Sequence, residues 1–227
     1  EHYQNGRFDE AEKLATSITK EFPKYQFGWK ALGAILGQIG KNSEAVSANQ
    51  TAVELSPQDA ESHSNLGITL QELGRLEEAE ASHTQAIALQ PDFAEAHCNL
   101  GITLQGLGRI DEAEASLTQA IALRPDLVEA HYNLGNTLKE LGRLDEAEAS
   151  YTQAITLKPD FAEAHSNLGN ILKELGKLDE AEASHTQAIA LKLDYAEAHY
   201  NLGVTLQEQG KLGEAVASYT QAIALKP

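Results

Sequence analysis

Histidine is the residue type in this chain best suited to hold a metal. Eight occur, and His63, His97, His131, His165 and His199 are spaced by 34 residues. Ligands to one zinc ion must each sit within about 2 Å of it. Residues one 34-residue step apart instead lie on successive helices, about 10 Å from one another. The spacing therefore points away from a metal. His83 and His185 fall where the same register elsewhere carries Leu117, Tyr151 and Tyr219, which reads as packing. Imidazoles that are partly buried would destabilise such a fold on charging near about pH 6.

A second series is formed by carboxamides. Asn65, Asn99, Asn133, Asn167 and Asn201 keep the 34-residue step, and Asn136 and Asn170 add a second Asn one residue short of a helical turn further on. A carboxamide offers a donor and an acceptor, the pair that a peptide unit requires. An extended peptide covers about 10 Å in roughly three residues. A regular Asn row can therefore grip one peptide unit in three without reading side chains. Tyr132, Tyr200, Lys139 and Lys173 share that helix face. The competing reading is that the carboxamides bond to adjacent helices or water and recur because the unit was duplicated.

Other constellations carry no chemistry. Acidic runs such as Leu144-Asp145-Glu146-Ala147-Glu148 suit helix starts, where the helix dipole favours carboxylates. No His-Glu metalloprotease motif, phosphate loop or nucleophile elbow occurs. Asn49-Gln50-Thr51 matches a glycosylation sequon but falls inside a helical pattern. Cys98, the single cysteine, excludes an internal disulfide and is expected as a neutral surface thiol. No catalytic residue, metal or cofactor is expected.

The elements that position these residues are written in the repeats. Prolines at 23, 57, 91, 125 and 159 keep the 34-residue step, and Leu193 stands where the next is due. A period of this size marks a stacked array in which no unit buries its apolar face alone. In the unit Val128 to Phe161, Ala130, Leu134, Leu138 and Leu141 follow helical spacing. Gly142 ends that helix. Leu144, Ala147, Ala154, Ile155 and Leu157 mark a second helix, closed by Pro159. Asp126 with Glu129, and Asp145 with Glu148, fit an acidic variant of the capping box. Gly135, Ala147 and Ala154 are small enough for two helix backbones to approach closely. The expected class is all-α, built of antiparallel helix pairs.

The pattern resembles the tetratricopeptide repeat. Trp29, Leu32, Gly33, Ala45, Ala52 and Pro57 stand at that family's signature spacing, and later units replace the Trp by His. The register sets repeats at 26–59, 60–93, 94–127, 128–161, 162–195 and 196–227, the last short of two positions. Residues 1–25, with Gly6, Ala11 and Pro23 in register, resemble the second helix of a truncated repeat. The resemblance implies one right-handed superhelical solenoid whose first helices line a concave wall. The asparagine row is similar to the peptide-holding ladder in the superhelical repeat domain of O-linked N-acetylglucosamine transferases. The family's two-carboxylate clamp for acidic tails does not fit. Where it needs Lys this chain has Glu61, Glu95, Glu129, Glu163 and Glu197, and where it needs Arg it keeps Asn.

Net charge supports the same choice of partner. The chain carries 17 basic and 34 acidic side chains, a formal charge of −17, which argues against nucleic acid and anionic membrane. No apolar run approaches the roughly 20 residues of a membrane span. Methionine is absent, so a longer parent chain is expected, and with no signal peptide the expected location is cytoplasmic. Uncapped apolar helices at both ends lead us to expect end-to-end self-association. The expected function is a non-catalytic protein-interaction scaffold that binds a neutral or basic extended peptide. The alternatives are a substrate-recruiting region of a larger enzyme, such as a glycosyltransferase, and a self-assembling structural array.

Overall fold

A computed structural model describes residues 8–226; the readings of Gly6 and Pro227 lie outside that range. The described residues form thirteen α-helices and no strand. The chain divides after Arg124 into two compact units. The first holds α1 (Phe8–Glu21), α2 (Gln26–Gln38), α3 (Asn42–Leu55), α4 (Ala60–Glu72), α5 (Leu76–Leu89), α6 (Ala94–Gly106) and α7 (Ile110–Leu123). The second holds α8 (Val128–Glu140), α9 (Leu144–Leu157), α10 (Ala162–Glu174), α11 (Leu178–Leu191), α12 (Ala196–Glu208) and α13 (Leu212–Leu225). The even-numbered A helices are 13 residues long and the odd-numbered B helices 14. Inside each unit successive helices pack on one another; α2 also meets α4, α4 meets α6, and α10 meets α12.

The A helices end by a shared device. At Gly142, φ is +71°, a conformation that costs glycine nothing and penalises any Cβ. Gly142 N–H donates to Lys139 O at 2.9 Å and Arg143 N–H to Leu138 O at 2.9 Å, the two bonds of a Schellman motif. The B helices end differently. Lys158, at φ −135° and ψ 87°, has the extended conformation that a following proline imposes. Lys192, before Leu193, takes φ −141° and ψ 93°. The turn therefore keeps its form without proline.

The helix starts correct the capping expectation. The residue that caps α8 is Leu127, one place after Asp126, and Arg143 caps α9, so Asp145 lies inside the first turn. No cap from α2 to α13 makes a side-chain bond to its helix. In three B helices the cap residue is instead an arginine that grips the glutamate three places on. Arg75 binds Glu78 through two bonds of 2.7 Å, and Arg109–Glu112 and Arg143–Glu146 repeat the arrangement at 2.6 Å.

The conserved small residues also act differently from the expectation. An added Cβ on Gly135 would lie 2.7 Å from Tyr151 Cε1. The glycine thus makes room for a ring, more than for a neighbouring backbone. Asn49 over Gly33, His83 over Gly67, Leu117 over Gly101, His185 over Gly169 and Tyr219 over Gly203 repeat the contact. An internal helix Gly costs about 0.5–1 kcal/mol against Ala. Burying a large side chain contributes about 1.5–3 kcal/mol, so the exchange favours glycine. Ala147 and Ala154, both fully buried, complete the tight contact between A and B helices.

Candidate functional site

The histidines that replace the signature Trp are tethers. Trp29 Nε1 donates to Pro23 O at 2.9 Å. In later repeats the Nε2 of His63, His97, His131 and His165 lies 2.9–3.1 Å from the carbonyl oxygen of the proline six residues earlier. A carbonyl only accepts, so Nε2 carries the hydrogen, and the imidazole reproduces the indole bond. At His199 the acceptor is Leu193 O, at a longer 3.4 Å. Among the described residues no group of three or more His, Cys, Asp or Glu is placed to hold a metal.

His83 and His185 are fully buried, and neither ring nitrogen of either has a partner among the described residues. Burial lowers the His83 pKa to about 4. For His185 burial, aided by the Lys173 charge, lowers it to about 4. Both rings are therefore neutral core fillers at neutral pH. Cys98 departs from expectation: its side chain is buried at 3% exposure, as are Ser64 and Ser166 at the same register position. Its helix position faces a neighbouring A helix more than solvent.

In the first unit Asn65 on α4 and Asn99 on α6 are half-buried. Asn49 Nδ2 donates to Asn65 O at 3.3 Å and to Thr69 Oγ1 at 3.4 Å. Thr103 Oγ1 reaches Asn99 O at 2.9 Å and Gln71 Oε1 at 2.8 Å. Two of the Glu that oppose an acidic ligand are paired: Glu61 with Lys30 at 2.6 Å, and Glu95 with Arg124.

The second unit draws several of the predicted residues into one network on α8 and α10. Asn167 Nδ2 donates to Tyr132 Oη and to Asn136 Oδ1, both at 3.1 Å. Tyr151 Oη donates to the same Asn136 Oδ1 at 2.7 Å. Tyr132 packs between Tyr151 and Phe161, with ring centroids 5.9 and 4.7 Å away. Burial raises the pKa of Tyr132 and of Tyr151, so both phenols keep their protons. Asn167 spends both hydrogens, which leaves its Oδ1 as an acceptor. Tyr132 accepts from Asn167 and retains its own hydrogen to donate.

The remaining candidates stand apart. Asn133 Nδ2 folds back to Glu129 O at 2.7 Å. Asn170 is half-buried, and Asn201 Nδ2 is a buried donor without a partner among the described residues. Lys139 is exposed, Lys173 half-buried and Tyr200 exposed. Glu163 pairs with Lys192 at 3.4 Å. Sequence reasoning had assigned Tyr151 and Asn49 to packing and to a sequon. Their shared place 16 residues after a helix glycine was the available signal that they reach the A helices.

Family profiles for the tetratricopeptide repeat match nearly the whole described chain. One, the TPR repeat, covers residues 33–74, 135–176 and 169–210, and others cover 60–126, 104–150 and 196–227. The chain belongs to the tetratricopeptide repeat family. Several solved TPR-like structures share its fold. A chain of the APC/C hetero-tetramer Cut9-Hcn1 matches with a TM-score of 0.85 at 20% identity, covering 100% of this chain and 45% of its own length. This TPR chain thus spans less than half of that relative. Pseudomonas aeruginosa pilF matches at TM-score 0.78 and 18% identity, covering 97% of this chain and 94% of its own. YrrB, described as a TPR protein with an unusual peptide-binding site, matches at 0.61 and 21%, covering 83% and 97%. No curated protein matches the sequence significantly. No helix among the described residues of this TPR chain is long and apolar enough to cross a membrane.

Proposed function

We propose that this TPR chain is a non-catalytic interaction scaffold that holds an extended, neutral or basic peptide against its A helices. The observation that carries the reading is the Tyr132–Asn136–Asn167 network. Internal bonds fix its orientation and leave the Asn167 Oδ1 acceptor beside the Tyr132 hydroxyl donor. A preoriented donor–acceptor pair binds a peptide unit without the entropy cost of ordering free side chains. The reported peptide-binding site of YrrB supports the same use of the fold. The net charge of −17 favours neutral or cationic segments by long-range attraction. Asn65, Asn99, Asn133, Asn170 and Asn201 extend the row, with Lys139, Lys173 and Tyr200 beside it.

The test compares capped nine-residue extended peptides, neutral, lysine-containing and glutamate-containing, by calorimetry. Neutral and basic peptides bind, and the variant Asn133→Ala/Asn136→Ala/Asn167→Ala loses at least tenfold in affinity while its helicity is retained. Undiminished binding by that variant, or a preference for the acidic peptide, removes the reading. A second reading, end-to-end association, is favoured by Leu212, Val216 and Ile223 of α13, which are 63–67% exposed. Sedimentation of the wild type and of Val216→Lys/Ile223→Lys decides it: a concentration-dependent dimer abolished by the pair supports self-assembly.

A further inference from the structure

The groove between α2 and α4 in the first unit contains a cavity of about 330 Å³, lined by Gly33, Ala34 and Gly37 of α2, Asn49 of α3, and Ile68 and Glu72 of α4 among others. Small residues at three successive inward positions of α2 open it. That alone would be a packing gap. An independent observation points to a ligand: Asn49 is 99% buried at its floor, and its Oδ1 has no donor among the described residues. The carboxamide cannot turn to satisfy itself. Its Nδ2 faces Asn65 O, which only accepts. Thr69 Oγ1, the other neighbour, lies 2.9 Å from Leu66 O and 3.2 Å from Asn65 O, and gives its hydrogen to that main chain. A buried acceptor left without a donor costs about 1–3 kcal/mol, so a donor entering here gains that amount back.

The lining defines the donor. Glu72 places a carboxylate at the exposed rim, Gln38 and Asn65 supply further amide oxygens, and Ile68 and Ala34 present apolar surface. No basic residue lines the cavity. Lys30, the lysine of α2, is engaged at 3.3 Å by Asp59 and at 2.6 Å by Glu61. An apolar wall leading to a buried acceptor, with a carboxylate at the mouth, matches an alkyl chain ending in a cation. The cavity volume lies at the lower end of ligand pockets, about 300–1,000 Å³. We infer that this cavity takes a cationic side chain, lysine or arginine, from an extended peptide, with Asn49 Oδ1 as floor acceptor and Glu72 as counter-charge. The inference rests on the peptide-scaffold reading and names the residue class that anchors the peptide at its first repeats.

The probes are n-butylammonium and n-butylguanidinium, side-chain mimics titrated into the isotope-labelled full chain and followed by NMR, with n-butanol and butyrate as controls. The expected result is saturable shifts at the Asn49 side-chain amide, Gly37 and Thr69, with both cations binding at least fivefold tighter than butanol. Glu72→Gln and Asn49→Leu each weaken the cations at least fivefold. Asn49→Leu copies the Gly101–Leu117 contact that the chain already uses. Gly37→Leu fills the cavity independently, since a Cβ there meets nothing nearer than Thr69 Cγ2 at 3.6 Å. Equal binding of butanol or butyrate, or cation shifts unchanged in both Asn49→Leu and Gly37→Leu, overturns the inference. So does a cavity that holds water only and responds to no probe. Capped neutral peptide is titrated in parallel. Its failure to bind with the cation shifts intact removes the peptide-scaffold reading while leaving the pocket.

Discussion

Helix pairs α8/α9 and α10/α11 lie side by side in the second unit and put different side chains at the same positions. In the first pair Tyr132, Asn136 and Tyr151 join Asn167 in a satisfied network. One repeat later those four places hold Ser166, Asn170, His185 and Asn201. There Ser166 Oγ, both nitrogens of His185 and Asn201 Nδ2 are buried without a partner among the described residues. The backbone is the same in both, since Gly135 and Gly169 receive Tyr151 and His185 at nearly equal Cβ approaches of 2.7 and 2.5 Å. Polar satisfaction is therefore set by side-chain reach, independently of the fold. A phenol spans the gap to the next carboxamide, and an imidazole or a serine falls short.

The largest expected contrast comes from truncation. Tyr151→Ala empties a fully buried site and should cost about 3–5 kcal/mol. His185→Ala also removes two unpaired polar atoms, so it should cost less, by denaturant titration of each variant. Equal losses would show that the network contributes nothing beyond volume.

Acid should separate the pairs next. The folded-state pKa of His185 is about 4, against about 6.5 for an unperturbed histidine. Between those values the unfolded chain binds a proton that the folded chain refuses. The contribution is fully present above about pH 6.5 and is lost as pH falls toward 4, by about 3 kcal/mol at most. His83, with the same folded value, adds a similar loss in the first unit. His83→Leu/His185→Leu, which borrows the Leu117 solution, should flatten the stability profile between pH 4 and about 6.5. Amide exchange should show α10/α11 opening with acid while α8/α9 holds.

A rebuilding experiment is smaller. Ser166→Tyr/His185→Tyr restores the phenols of the preceding pair and should raise stability by about 1 kcal/mol for the bonds regained, measured at pH 7. The smallest effect belongs to the turn between α11 and α12. Leu193 is 77% exposed, and Lys192 already has the extended conformation that precedes proline. Leu193→Pro should therefore stabilise by about 0.4–1 kcal/mol through the unfolded chain. A loss of stability there would show that the Leu193 amide is used.

The helices, their glycine ends and the family were legible because each depends on residues a fixed, short distance apart. Gly142 needs only its own helix to form the Schellman bonds. The capping box failed by one residue: Asp126 precedes the capping position that Leu127 occupies, and periodicity does not resolve a single step. Cys98 was misplaced because its helix position reads as outward until the neighbouring A helix covers it. The roles of Asn136 and Asn167 were hidden for a deeper reason. Their partners are set by what occupies the equivalent place in the adjacent repeat, so identical asparagines meet different neighbours. The imidazole tethers escaped notice because their acceptor is main chain, which has no sequence signature beyond the proline that carries it.

The bare helix glycine in each A helix works as a socket, and the residue sixteen places on is its plug. Asparagine, histidine, leucine and tyrosine all seat there over an unaltered backbone. Stiffness, acid sensitivity and access to the floor of the groove can thus be exchanged one repeat at a time, without redesign of the scaffold around them.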